Sequence, residues 1–69
     1  MKNEPTAAHI NAMSSAMGGF AMCLALRMPA EQRTALANDL ARLALQAESK
    51  GDTLLESMFI DLQNAVRSA

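Results

Sequence analysis

The chain has 69 residues, a formal net charge of −1 and a composition that is 51% hydrophobic. A chain this short forms at most one domain, so we expect a single helical domain over residues 1–69. The basic residues are scattered and only two residues are aromatic. Both features argue against a nucleic-acid surface, which needs clustered cations and stacking rings. Abundant Leu, Met and Ala with few β-branched residues favour helices over sheet.

The first predicted helix follows a polar lead-in over residues 1–5, with Thr6 as N-cap, and ends near Met28. It contains an uncharged stretch, Ile10 to Leu26, in which large apolar residues recur at intervals of three and four. That spacing is typical of a helix with a stripe close to a heptad repeat. The stripe consists of Ile10, Met13, Met17, Phe20 and Leu24.

This helix is apolar on almost every side, and such a helix needs to be buried on almost every side. At about 100° per residue, only Asn11, Ser14 and Gly18 form an arc left for water. The rest of the chain is too short to cover the helix, so we expect the stripe to form the core of a homodimer. Gly18 and Gly19 each cost about 1 kcal/mol in a helix interior. The pair therefore predicts either the close approach of another backbone or a kink.

The uncharged stretch is at the lower edge of the length that spans a bilayer, and it contains Asn, Ser and Gly. Membrane insertion is therefore not expected. Glu4 interrupts the basic leader that a signal peptide would need. We expect a soluble protein of the cytoplasm.

The second predicted helix begins at Pro29 and ends near Ser49, before Lys50 and Gly51. Its main apolar stripe is expected to be Leu36, Leu40, Leu43 and Ala47, widened by Ala37, Ala41 and Ala44. Thr53 and Glu56 have the spacing of a capping box and predict the start of a third helix, which ends near Arg67. The stripe of the third helix is Leu55, Met58, Phe59, Leu62 and Val66.

These elements predict an all-α fold of three helices. Short links place consecutive helices antiparallel, so we expect the first and second helices to form a hairpin with the third packed across them. Dimerisation through the first helix would complete a helical bundle.

No catalytic residues are predicted. Cys23 and His9 are the only residues of their types, and neither has partners at the spacing of a metal site or of a nucleophile with its base. Cys23 is more simply a small buried hydrophobe, and His9 a partly exposed packing residue. We therefore expect no enzyme activity, no metal and no cofactor.

Surface residues are the remaining candidates for function. Leu45 and Ile60 are apolar residues on otherwise polar helix faces. Placed side by side with Arg42 and Arg67 at the rim, they would form an apolar patch with arginine anchors, a composition favoured at protein interfaces. The six methionines fit either an irregular core or an adaptable binding surface.

In its length, its lack of enzyme motifs and its uncharged AMSSAMGGFAMCLAL helix, the chain resembles the small helical early proteins of temperate bacteriophages that inhibit host regulators, anti-quorum-sensing proteins among them. The resemblance implies a dimer that acts in the host cytoplasm. Its implied targets are a LuxR-type transcription activator and the ATPase that extends type IV pili. It identifies no binding residues. A symmetric dimer could engage two unrelated targets through separate surfaces.

A small dimeric nucleic-acid-binding regulator is the alternative function. It would need Arg27, Arg33, Arg42 and Lys50 on one face, and their helical angles do not converge.

Overall fold

A computed structural model describes residues 6–69, and the predicted lead-in over residues 1–5 lies outside the described residues. The described chain consists of α1 (Ala7–Ala25), α2 (Ala30–Ser49) and α3 (Thr53–Arg67) and contains no strand. The all-α prediction is confirmed. The first helix is shorter than expected, because the Arg27 and Met28 amides donate to the Leu24 and Ala25 carbonyls. Each of these bonds joins an amide to the carbonyl three residues earlier, and this spacing winds the chain into a tighter turn than that of an α-helix.

The helix ends follow from local hydrogen bonds. Thr6 caps α1 as predicted, since its hydroxyl accepts from the His9 amide at 3.2 Å. Gly51 has φ 76°, and α2 ends in a Schellman motif in which the Asp52 amide donates to the Ala47 carbonyl at 3.0 Å. The prediction of Thr53 as the next N-cap is wrong by one residue. Asp52 caps α3, because its carboxylate accepts from the Leu55 amide at 3.0 Å.

A helical hairpin with a third helix against it is present, but the hairpin is formed by α2 and α3. The predicted hairpin of the first and second helices is therefore wrong. The most extensive contact in the chain lies between α2 and α3, and α1 packs mainly on α3. The link between α1 and α2 is as short as expected, yet the two helices diverge because α1 has a stripe of small residues that fits against α3.

The contact of α1 with α3 depends on that small-residue stripe. Ser14 donates to the Asp61 carboxylate at 3.3 Å, and a methyl group added at Gly18 would lie 3.9 Å from the Ala65 Cβ. From the first contact to the second, the residue number rises by four in both helices, so α1 and α3 are parallel. The arc containing Ser14 and Gly18, predicted to face water, instead faces α3. Ile10, Ser14, Gly18 and Ala21 are half-buried, and Ala25 is fully buried.

Alanines form most of the small core. Ala25, Ala37 and Val66 pack together where the three helices meet, with Ala21, Leu36, Leu40 and Ala69 against them. Within α2, Ala47 of the predicted main stripe is buried, and so are Ala37 and Ala44, which were expected only to widen that stripe. Leu43, also predicted in the main stripe, is exposed. Small side chains lie at the centre because they let the α2 and α3 backbones approach each other.

The described chain is a flat layer. Its principal-axis extents are 45 × 26 × 13 Å, and a single helix with its side chains is about 10–12 Å across. The radius of gyration is 13.1 Å, against about 11 Å for a globular domain of this length. A stable domain normally needs two packed layers around one core. This chain supplies one of them.

Candidate protein-binding surfaces

An apolar cleft lies between α1 and α2, on one side of the layer. It has a volume of about 240 Å³. Leu62 and Val66 of α3 form its floor, and its walls are Met17, Phe20, Ala21 and Leu24 of α1 and Leu36 and Leu40 of α2. The cleft exists because α1 packs mainly on α3, so that no helix covers Leu36 and Leu40 of α2.

The predicted stripe of α1 runs along one wall of this cleft and is not buried within the chain. Met13, Met17, Phe20 and Leu24 are between 41% and 67% exposed, whereas Ile10 is half-buried. These residues therefore do not form the core of a single chain. Their part in a dimer interface stays a prediction. We use the name α1 stripe for the four exposed residues.

The predicted patch residues Leu45, Ile60 and Arg67 lie on the opposite side of the layer. Asn38 of α2 and Arg67 of α3 line one common pocket. Leu45 follows Asn38 by two helical turns, and Ile60 precedes Arg67 by two turns, so each pair shares one side of its helix. We use the name hairpin face for the surface formed by Asn38, Leu45, Ile60 and Arg67. Leu45 is its most prominent apolar residue, at 63% exposed.

Arg42 lies at the edge of the hairpin face, one turn from both Asn38 and Leu45. Its guanidinium donates to the Asp39 carboxylate in an exposed ion pair. Exposed pairs of this kind are weak because solvent screens them. Asp39 therefore holds the Arg42 guanidinium only weakly.

Sequence reasoning missed a pocket at the end of the hairpin face. Arg33, Thr34 and Asn38 of α2 line it together with Arg67 of α3. From the sequence, Arg33 is simply a residue near the apolar stripe whose guanidinium reaches solvent. Its position beside Arg67 follows from the antiparallel pairing of α2 with α3, which no local pattern in either helix reveals.

The remaining reactive side chains have structural roles or stand alone. His9 accepts from the Thr6 amide through Nδ1 at 3.4 Å, as part of the N-cap of α1. Cys23 is exposed, contrary to the prediction of a small buried hydrophobe. Within residues 6–69, no three His, Cys, Asp or Glu side chains are grouped so that they could hold a metal ion. None of the three helices is long and apolar enough to cross a membrane.

One surface is an open apolar cleft beside the exposed α1 stripe, and the other is an apolar patch with arginines. Comparisons with protein-family models, curated proteins and solved structures found no match. What this chain does must therefore be inferred from its own two surfaces.

Proposed function

We propose that this chain is a non-catalytic inhibitor that acts by binding other proteins as a homodimer, in the manner of the phage early proteins that it resembles. Its proposed targets are a host LuxR-type transcription activator and the type IV pilus assembly ATPase, and its proposed location is the host bacterial cytoplasm. The observation that carries the proposal is the division of the layer into an apolar cleft on one side and the hairpin face on the other.

The α1 stripe and the apolar cleft support the dimer. The stripe has the four-three-four spacing of a heptad repeat, which suits packing against an identical helix. The accessible surface of the chain is 4859 Å², against about 4,200 Å² for a monomer of this mass. An ordinary interface buries about 800 Å² on each partner. Stacking two copies with their clefts facing each other would supply the missing second layer.

The hairpin face supports binding of a different protein. Leu45 and Ile60 are both exposed, Arg42 lies one turn from Leu45, and Arg67 lies two turns from Ile60. An apolar centre with arginine anchors is the composition enriched in interface hot spots. In a dimer joined through the α1 stripes, both hairpin faces would point outward, so that two target molecules could bind at once.

A tagged chain incubated with bacterial lysate tests this function, with light scattering run on the same sample. We expect a dimer that retains one or two host proteins in stoichiometric amounts. Leu45→Ala combined with Ile60→Ala should remove those proteins while the dimer persists. Leu54→Ala is the matched control, because Leu54 is an exposed leucine on the other side of α3. Retention that does not change in the double variant would contradict the assignment of the hairpin face.

A dimeric nucleic-acid-binding regulator remains the alternative, and the convergence of Arg33 and Arg67 on one pocket is the observation that favours it. This function predicts a different result in the same experiment. The chain would retain nucleic acid, and the retained amount would fall steeply as salt is raised because binding to phosphates releases counterions.

A further inference from the structure

The pocket that contains Arg33 and Arg67 lies where the first turns of α2 meet the last turn of α3. Its volume is about 260 Å³. The buried residues Ala37 and Val66 line it together with Arg33, Thr34, Asn38 and Arg67, and Ala30 and Ala69 complete the lining. We use the name arginine pocket for this site.

The arginines of the arginine pocket form no ion pair within the described chain. No acidic side chain lines the pocket, and Glu31, in the same turn of α2, is not part of it. In residues 6–69, the single ion pair joins Arg42 to Asp39, so neither Arg33 nor Arg67 is paired with a described carboxylate. Two cations therefore line a space that an anionic group would fill.

The nearby apolar residues indicate what kind of anion fits. Leu45 shares the side of α2 on which Asn38 lies, and Ile60 shares the side of α3 on which Arg67 lies. A free inorganic anion would contact the pocket alone and leave these two side chains exposed. A peptide that carries an acidic side chain beside apolar ones would contact both, and arginine binds carboxylates in a planar two-bonded geometry.

We propose that the arginine pocket recognises an Asp or Glu side chain of a partner protein, within a segment whose neighbouring residues are apolar. Arg33 and Arg67 donate hydrogen bonds to the carboxylate, and Leu45 and Ile60 contact the flanking apolar side chains. This proposal rests on the proposed function insofar as it places the acidic segment on a bound host protein. An acidic residue with apolar neighbours is the feature that would distinguish a target from other proteins.

The pocket can be tested without any host protein. The probe is the peptide acetyl-Leu-Glu-Leu-amide, titrated into isotope-labelled chain while the backbone amides and the arginine Nε–Hε groups are followed by NMR. We expect saturable shifts at Arg33, Arg67 and Asn38, and at least about tenfold weaker binding of acetyl-Leu-Gln-Leu-amide, which lacks the charge. Equal binding of the two peptides would overturn the proposal. So would tighter binding of inorganic phosphate than of the acidic peptide.

Charge-matched variants separate the pocket from general electrostatic attraction. Arg33→Gln and Arg67→Gln should each weaken binding of the acidic peptide by about tenfold or more. Lys50→Gln removes the same charge at the far end of α2 and should change binding less than twofold. Circular dichroism on each variant checks folding, and Asn38→Ala gives a second substitution in case Arg33→Gln unfolds. An equal loss in Lys50→Gln would overturn the proposal.

The two proposals fail in different ways. Peptide binding by a chain that captures no host protein would leave the arginine pocket in place and remove the inhibitor function. Capture of a host protein that is unchanged in the Arg33→Gln, Arg67→Gln double variant would support the inhibitor function and overturn the role of the pocket.

Discussion

The α2–α3 hairpin and α1 bury their apolar side chains in opposite ways. Each helix of the hairpin has an apolar and a polar side, and Ala37, Ala44, Ala47 and Val66 are buried. Helix α1 is the more uniformly apolar helix, yet Ala25 is its single buried residue, and its large side chains face outward. Apolar character therefore predicts that a side chain will be covered, but it does not predict that the same chain will cover it.

A charge placed on the α1 stripe is expected to have the largest effect. Phe20→Glu should dissociate the proposed dimer, because burying an unpaired carboxylate in an apolar interface costs several kcal/mol. Light scattering should show monomers, and circular dichroism should show loss of helix if α1 depends on its partner. Ser15→Glu is the control, since Ser15 is exposed on the other side of α1. A Phe20→Glu protein with unchanged mass and stability would contradict an interface at the stripe.

The second prediction concerns the core where the helices meet. Val66 is 1% exposed and touches residues of all three helices. Val66→Ala should lower the free energy of unfolding by about 2 kcal/mol, since it removes buried methyl groups and leaves a small cavity. Urea denaturation measures the change. Truncation of an exposed residue to alanine, Leu54→Ala, removes one more carbon atom yet should change stability by less than about 0.5 kcal/mol.

The hairpin face gives the third prediction. Leu45→Ala should leave the free energy of unfolding within about 0.5 kcal/mol of the original value, because Leu45 is largely exposed. It should nevertheless weaken binding of a captured host protein by about tenfold. Thermal unfolding and surface plasmon resonance measure the two quantities separately. A large loss of stability would show that Leu45 is covered by the protein itself.

The smallest effects are expected at the glycines. Gly18→Ala should raise the free energy of unfolding by up to about 1 kcal/mol, because alanine is the better helix former and its methyl group would make an ordinary contact with Ala65. Gly51→Ala should lower it by about 1 kcal/mol, because φ is 76° at that position. Chemical denaturation of both variants checks the signs. The opposite sign at Gly18 would indicate that another backbone approaches α1 there.

The sequence predicted those features that depend on a few adjacent residues. The Thr6 cap, the break at Gly51 and the approximate bounds of all three helices follow from local hydrogen bonding and backbone conformation. The N-cap of α3 lies one residue earlier than the sequence predicts, because Asp52 and Thr53 are both good caps and only the geometry of the turn decides between them.

Long-range pairing could not be predicted in the same way. Helix α1 has no strongly polar side, so its sequence does not determine which arc meets the rest of the chain. The arc that contains Ser14 and Gly18 is the most polar part of α1 and is therefore predicted to face water. Its small side chains, however, allow α1 to pack closely against α3. The arginine pocket was missed for a related reason, since Arg33 and Arg67 meet only after α2 and α3 pair antiparallel.

In the proposed dimer, the exposed α1 stripe is one half of an interface between two copies of the chain. Sedimentation equilibrium of the unmodified protein from low micromolar to millimolar concentration tests it most directly. We predict a mass of twice the 7.4 kDa chain at all but the lowest concentrations. A mass of 7.4 kDa across the whole range, with α1 fully helical by circular dichroism, would contradict the claim.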